Sequence, residues 1–127
     1  MKRTLKRIGN FYELGYDADL DAPRLSEARG KRSPMYKEQT VRYLSSGKIF
    51  VFSPGYEKDV FDPTKLAGTC SILTDGIYMW QKQIAYYVEH YDIELPLDFE
   101  AHMRSSNWTI SEEIDISQLK SPGSGPQ

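Results

Sequence analysis

The chain has a single cysteine, Cys70, among its 127 residues. An internal disulfide is therefore excluded and no cysteine pair can ligate a metal, which suits a reducing compartment, so the expected location is the cytosol. Histidine is as scarce. His90 and His102 are the only two, their spacing matches no helical ligand pair, and neither a metal nor a cofactor is expected. Glycines 9, 15, 30, 47, 55, 68 and 76 are scattered and form no phosphate-binding loop. No segment approaches the roughly 20 apolar residues that a helix needs to span a bilayer. The opening MKRTLKRIGNF has a signal peptide's charge without the apolar run that would follow it. Neither export nor membrane insertion is expected. The basic residues Lys2, Arg3, Lys6, Arg7, Arg29, Lys31 and Arg32 are modest in number and lack a spaced aromatic platform, so nucleic acid is not an expected partner.

What the chain has is aromatic and acidic. Its length suits one folding unit with one core, expected over residues 1–120, with a disordered tail over 121–127, where SPGSGPQ has no means of burying itself. Nine tyrosines can each be half buried while the hydroxyl reaches water or a partner. Charge is uneven. Residues 1–64 hold 12 Lys/Arg against 9 Asp/Glu, and residues 65–127 hold 4 against 9. Glu89, Asp92, Glu94, Asp98, Glu100, Glu112, Glu113 and Asp115 are opposed within their span only by Arg104, so this region is expected to repel phosphate and attract basic protein surfaces. A solvated acidic surface that keeps the chain soluble is the plainer alternative. No nucleophile, base and ligand converge in the sequence. Cys70 follows a strand-forming threonine and reads as a small buried apolar residue, and the acids at 92, 94, 112 and 113 sit in polar contexts that leave them solvated. An enzyme is not expected.

The hydrophobic pattern predicts an α+β fold: a small antiparallel sheet of three or more strands packed against two to four helices. Residues 17–33 read mainly as loop. Ser33-Pro34 open a helix over about 34–46, with Met35, Val41, Tyr43 and Leu44 inward and Gly47 as its stop. KIFVF is a strand at 48–52. The connection over 55–68 is broken by proline and glycine, with at most a short turn, and Val60 and Phe61 are its expected anchors. Asp75-Gly76 joins strands at about 69–73 and 77–80 in a tight hairpin. A helix over 81–91 buries Ile84, Ala85, Val88 and Tyr91 and turns Gln83 outward. Tyr86 and Tyr87 lie about 100° apart on it, so one of them is expected at the surface. Pro96 opens a last helix to about Arg104 with Leu97, Ala101 and Phe99 inward. Trp108 and Ile110 then pin a final strand or extended segment, and residues 111–113 start a short turn. Trp80 and Trp108 each serve either core packing or contact.

The run TDGIYMWQKQIAYYVEHYDIELPLDFEAHM at 74–103 resembles a pattern in small bacterial proteins that act as immunity proteins of polymorphic toxin systems. Asp75-Gly76, Trp80, Ala85 to Glu89, Leu95-Pro96, Phe99 and His102-Met103 carry the likeness, and Gln81 departs from it where proline is expected. The resemblance implies an intracellular protein that binds the toxic C-terminal domain of a cognate, basic toxin and blocks it stoichiometrically, with no catalysis. The expected partner surface is Tyr86, Tyr87, Glu89, Asp92, Glu94, Asp98, Glu100 and Trp108, with the N-terminal loop left open as a second possible interface. A small regulatory adaptor or a small hydrolase is the alternative reading.

Overall fold

In the computed structural model, residues 2–15 and 21–122 are described. The fold is α+β, and its largest sheet is mixed. The strands are β1 (Arg3–Thr4), β2 (Lys6–Arg7), β3 (Lys48–Val51), β4 (Tyr56–Lys58), β5 (Leu66–Thr69), β6 (Ile72–Thr74), β7 (Tyr78–Gln81) and β8 (Leu119–Lys120). The helices are α1 (Leu25–Ala28), α2 (Lys37–Ser45), α3 (Ile84–Tyr91) and α4 (Leu97–Ser105).

The four-stranded sheet runs β2-β7-β6-β3. Its β3-β6 and β6-β7 pairs are antiparallel, as the turn chemistry predicts. Its edge strand β2 is parallel to β7, and β1 is parallel to β8. The expected wholly antiparallel sheet is corrected there, because the basic N-terminal run enters the sheet through Leu5 and Ile8, both buried. The expected strand at 69–73 is two strands. Ser71 Oγ donates to Ser53 O at 2.9 Å and accepts from Ser53 N at 2.8 Å, which bridges the gap between the β3-β6 and β4-β5 ladders. The connection at 55–68 contains the β4-β5 hairpin, so β3-β4 and β5-β6 make one long ribbon bent at Ser53 and Cys70.

The hairpin turn is built by side chains. Asp75 Oδ1 accepts from the amides of Ile77 and Tyr78, Thr74 Oγ1 accepts from Gly76 N, and Gly76 takes a φ of 97° that favours glycine. Leu73, Tyr78 and Trp80 form the sheet's contribution to the main core, against Tyr43 and Leu44 of α2, Ile84, Tyr87 and Val88 of α3, and Phe99 and Met103 of α4. Trp80 is fully buried and its Nε1 donates to Leu44 O at 2.9 Å, which settles its role as packing. The opposite face buries Ile72 and Met79 under Leu5 and Leu119.

Several side chains lie elsewhere than the periodicity predicts. α2 starts at Lys37, not 34, because Ser33 Oγ accepts from Met35 N and closes a turn ahead of it, and Met35 is exposed. α3 starts at Ile84 because Gln81 completes β7, and Gln83 is buried where it donates to the Gln81 amide oxygen. Leu97 and Ala101 face outward on α4, while Phe99 and Met103 face in. Residues 25–28 of the expected loop are helical, capped by Glu13 carboxylate oxygens that accept from Leu25 N at 2.7 Å and Ser26 N at 2.8 Å. The rest of that loop at 17–20, and most of the expected tail at 123–127, lie outside the described residues. The last strand is at 119–120, and the stretch holding Trp108 and Ile110 is turn and irregular backbone.

Candidate functional site

Two bulky residues stand in left-handed backbone geometry, Tyr36 at φ 61° and Trp108 at φ 54°. Such a conformation costs about 1–2 kcal/mol for a residue other than glycine, and an aromatic side chain lacks the local hydrogen bond by which Asn or Asp offsets it. Tyr36 is the N-cap of α2. Trp108 follows α4, where its N–H donates to Met103 O at 2.9 Å and closes the helix end. The two rings meet with centroids 4.5 Å apart, and the Arg104 guanidinium lies 5.1 Å from the Tyr36 ring centre.

Three grooves converge on this pair. The first, about 270 Å³, lies between residues 31–36 and α4 and includes Met35, Glu94, Leu97 and Glu100 in its walls. The second, about 600 Å³, is lined by Lys37, Glu38, Val41, Arg42 and Glu89. The third, about 400 Å³, is lined by Arg42, Lys48, Ile110 and Glu112. Tyr36 lines the first and second, and Trp108 lines the first and third. At the first groove Leu97 is 84 % exposed and Met35 64 %, the kind of adjacent unburied apolar surface that marks interaction sites.

The expected partner residues divide. Glu94, Glu100 and Trp108 line the first groove and Glu89 the second. Glu94, Glu89 and Asp98 are exposed, and Asp98 accepts from Tyr78 OH at 3.2 Å. Glu100 is committed inside the molecule. The Arg32 fork holds both its oxygens at 2.9 and 3.0 Å, and Arg32 also donates to Thr40 Oγ1 at 2.7 Å. Asp92 pairs with Lys37 at 2.9 Å. The expected acidic region is thereby corrected to a mosaic, in which Glu94 shares the first groove with Lys31 and Arg104 and Glu89 shares the second with Lys37 and Arg42. Glu113 and Asp115 lie at another groove beside Lys2 and Arg3, because β1 pairs with β8 and brings the basic start of the chain to its acidic end.

Tyr87 is fully buried and has no surface to offer a partner; its hydroxyl accepts from Val60 N at 3.0 Å, and burial pushes its pKa up to about 12. Tyr86 is the half-exposed member of the pair, but its hydroxyl is spoken for. Tyr86 and Tyr91 donate to Asp59 Oδ2 at 2.7 and 2.6 Å, while Asp59 Oδ1 accepts from Phe61 N at 2.7 Å and Asp62 N at 3.1 Å. Burial on its own would raise the Asp59 carboxyl, which is 1 % exposed, yet these donors outweigh it and hold the pKa below the ordinary aspartate value. The hydrogen bond to Asp59, followed by burial, pushes the Tyr86 hydroxyl up. Phe61 anchors this loop by packing on Tyr87, Tyr91 and Arg29, whereas Val60 is exposed.

His102 has a carboxylate partner that its sequence context did not announce. Its Nε2 lies 2.9 Å from Asp75 Oδ2, which also accepts from Tyr43 OH, and burial followed by that bond pushes the Tyr43 hydroxyl pKa up. A carboxylate-oriented imidazole is half of an acid–base pair. Here the ring packs against Tyr78 at 4.9 Å and Phe99 at 6.4 Å and lines none of the grooves described, so the arrangement ties α2, α4 and the hairpin turn together. His90 is exposed beside Glu89. Among the described residues no group of three His, Cys, Asp or Glu side chains is placed to hold a metal ion, and no helix is long and apolar enough to cross a membrane.

Comparison with protein-family models, with curated proteins and with solved structures finds no match to this chain.

Proposed function

We propose that the chain is a recognition protein of the immunity type, which binds a toxin domain in the cytosol and neutralises it one to one without turnover. The observation that carries this reading is the Tyr36–Trp108 pair, held in strained backbone where three grooves meet, beside protruding Leu97 and Met35. Strain of this kind clusters at functional sites, and interface hot spots are enriched in tyrosine, tryptophan and arginine. Glu94 and Asp98, beside the apolar anchors, suit the basic rim of a nuclease-like toxin cleft, while Arg42 and Arg104 add discrimination against partners of the wrong pattern. The resemblance of residues 74–103 supports the same reading.

The test is co-expression with the toxin encoded by a neighbouring reading frame, scoring growth and co-purification. Wild-type chain is expected to restore growth and to co-purify. Leu97→Glu and Tyr36→Asn are each expected to weaken binding about tenfold or more, the loss of about 1.4 kcal/mol or above that defines an interface anchor, with an unchanged circular dichroism spectrum. Asparagine at 36 keeps a residue that tolerates the left-handed geometry, so this variant removes the ring alone. Absence of a toxin frame, failure of the wild type to rescue, or full rescue by both variants would overturn the reading.

A further inference from the structure

Among the described residues, six of the eleven exposed large apolar side chains fall between residues 49 and 66: Ile49, Val51, Phe52, Tyr56, Val60 and Leu66. None of them lines the grooves around Tyr36 and Trp108. Four of them follow one line, because β3 is the edge of the four-stranded sheet and β4 continues it as the outer strand of the bent ribbon. Phe52 is 70 % exposed and Tyr56 69 %. Edge strands of soluble proteins are ordinarily guarded by outward charge, and this edge carries none between Ile49 and Tyr56. The one cation at its start is drawn away, with Lys48 Nζ donating to Ile114 O at 2.8 Å.

We infer that this edge is the seat of a homodimer, in which β3 and β4 of two copies meet across a twofold axis. The occupant follows from charge. With Asp59 buried and Lys48 turned to Ile114 O, the segment presents Lys58 and Lys65 against Glu57 and Asp62, so this surface is neutral and a copy of itself brings no net repulsion. A strongly basic or acidic partner finds nothing complementary there. A twofold contact is self-complementary, and with the axis near Pro54 it sets Phe52 of one copy against Tyr56 of the other. The bulge where Ile49 and Val51 oppose Leu73 and Ile72, together with Pro54, interrupts the row of free backbone groups. Side-chain burial therefore dominates over strand addition, and association closes at two copies.

Sedimentation equilibrium of the full chain, from micromolar to hundreds of micromolar, reads the outcome. The expected result is a monomer of 14.6 kDa converting to a species of twice that mass and no larger. The double variant Phe52→Lys, Tyr56→Lys is expected to remain monomeric with an unaltered far-ultraviolet spectrum, and Ile49→Glu, on β3, to weaken the dimer at least severalfold, so the result does not hang on one variant's folding. Wild type that stays monomeric throughout, open-ended growth past the dimer, or a dimer lost on Leu97→Glu and retained in the double variant would each overturn the inference.

Discussion

At the scale of the residue, Asp59 shows how a single buried carboxylate organises an aromatic wall. It gathers Tyr86, Tyr91 and two amides, so a loop that carries no regular structure is fixed against α3. Asp59→Asn is expected to lower stability by about 2 kcal/mol, the loss associated with hydrogen bonds to a charged group. The sign of the pH dependence follows from its depressed pKa. The folded state holds this proton less tightly than the unfolded state does, so the stabilisation is complete above the unfolded value of about 3.9 and disappears as pH falls through the folded value. Urea denaturation of wild type and variant is expected to give curves well separated at neutral pH that converge in acid; a separation independent of pH would show that geometry, not charge, carries the effect. The local turn to Phe61 and Asp62 does not distinguish Asp59 from a solvated loop acid, because the two tyrosine donors that complete its shell come from 27 and 32 positions away. Asp75 was legible as a turn residue through Asp-Gly, but its contact with His102 was not, since that contact depends on where α4 docks.

At the scale of the element, the hairpin β6-β7, the strand β3 and the helices α2, α3 and α4 were legible from local chemistry: Asp75-Gly76, KIFVF bounded by Gly47 and Pro54, and the apolar spacing of Ile84 and Val88. What periodicity misplaced are Met35, Gln83, Leu97 and Ala101. A helix of two turns presents a broad apolar arc, and only the docking partner decides which edge of the arc is covered. At α4 the partners are Tyr43, Tyr78 and Trp80, which surround Phe99 and leave Leu97 outside. Gly47 illustrates a correct reading with an incomplete reason. It ends α2, but a Cβ there would lie 2.8 Å from Leu73 Cβ, 2.9 Å from Trp80 Cζ2 and 3.2 Å from Thr74 N. Two of those atoms belong to or adjoin the backbone and cannot swing away. Gly47→Ala is therefore expected to destabilise by about 1–3 kcal/mol, the range for overpacking a filled core. Thermal denaturation reads the sign, and a raised Tm would show that the α2–β3 junction relaxes freely.

At the scale of the whole molecule, parallel pairing of β1 with β8 puts the start of the described chain beside its end. Composition by halves predicts a basic and an acidic surface, and this closure mixes them: Lys2 and Arg3 share a groove with Glu113 and Asp115, and Arg32 reaches Glu100. Long-range pairing of that kind has no signature in local pattern, which is why the expected acidic face gave way to a mosaic and why the Tyr36–Trp108 site, assembled from residues 72 positions apart, was half missed. Trp108, Glu94 and Glu100 were singled out by the charge and aromatic content of their own segment, while Tyr36 stood in a segment with no such signal. The same closure seals the second core. Leu5 and Leu119 cover Ile72 and Met79, and Leu5 N donates to Lys120 O at 2.9 Å. Leu5→Ala and Leu119→Ala are each expected to reduce the unfolding free energy by about 2–3 kcal/mol. Because the two side chains belong to one cluster that opens when either end leaves, the double variant is expected to lose less than the sum by about 0.5 kcal/mol or more. A double-mutant cycle by urea denaturation measures this. Strict additivity would mean that the two ends seal the sheet independently, and that the basic N-terminal strands could detach without exposing the C-terminal segment.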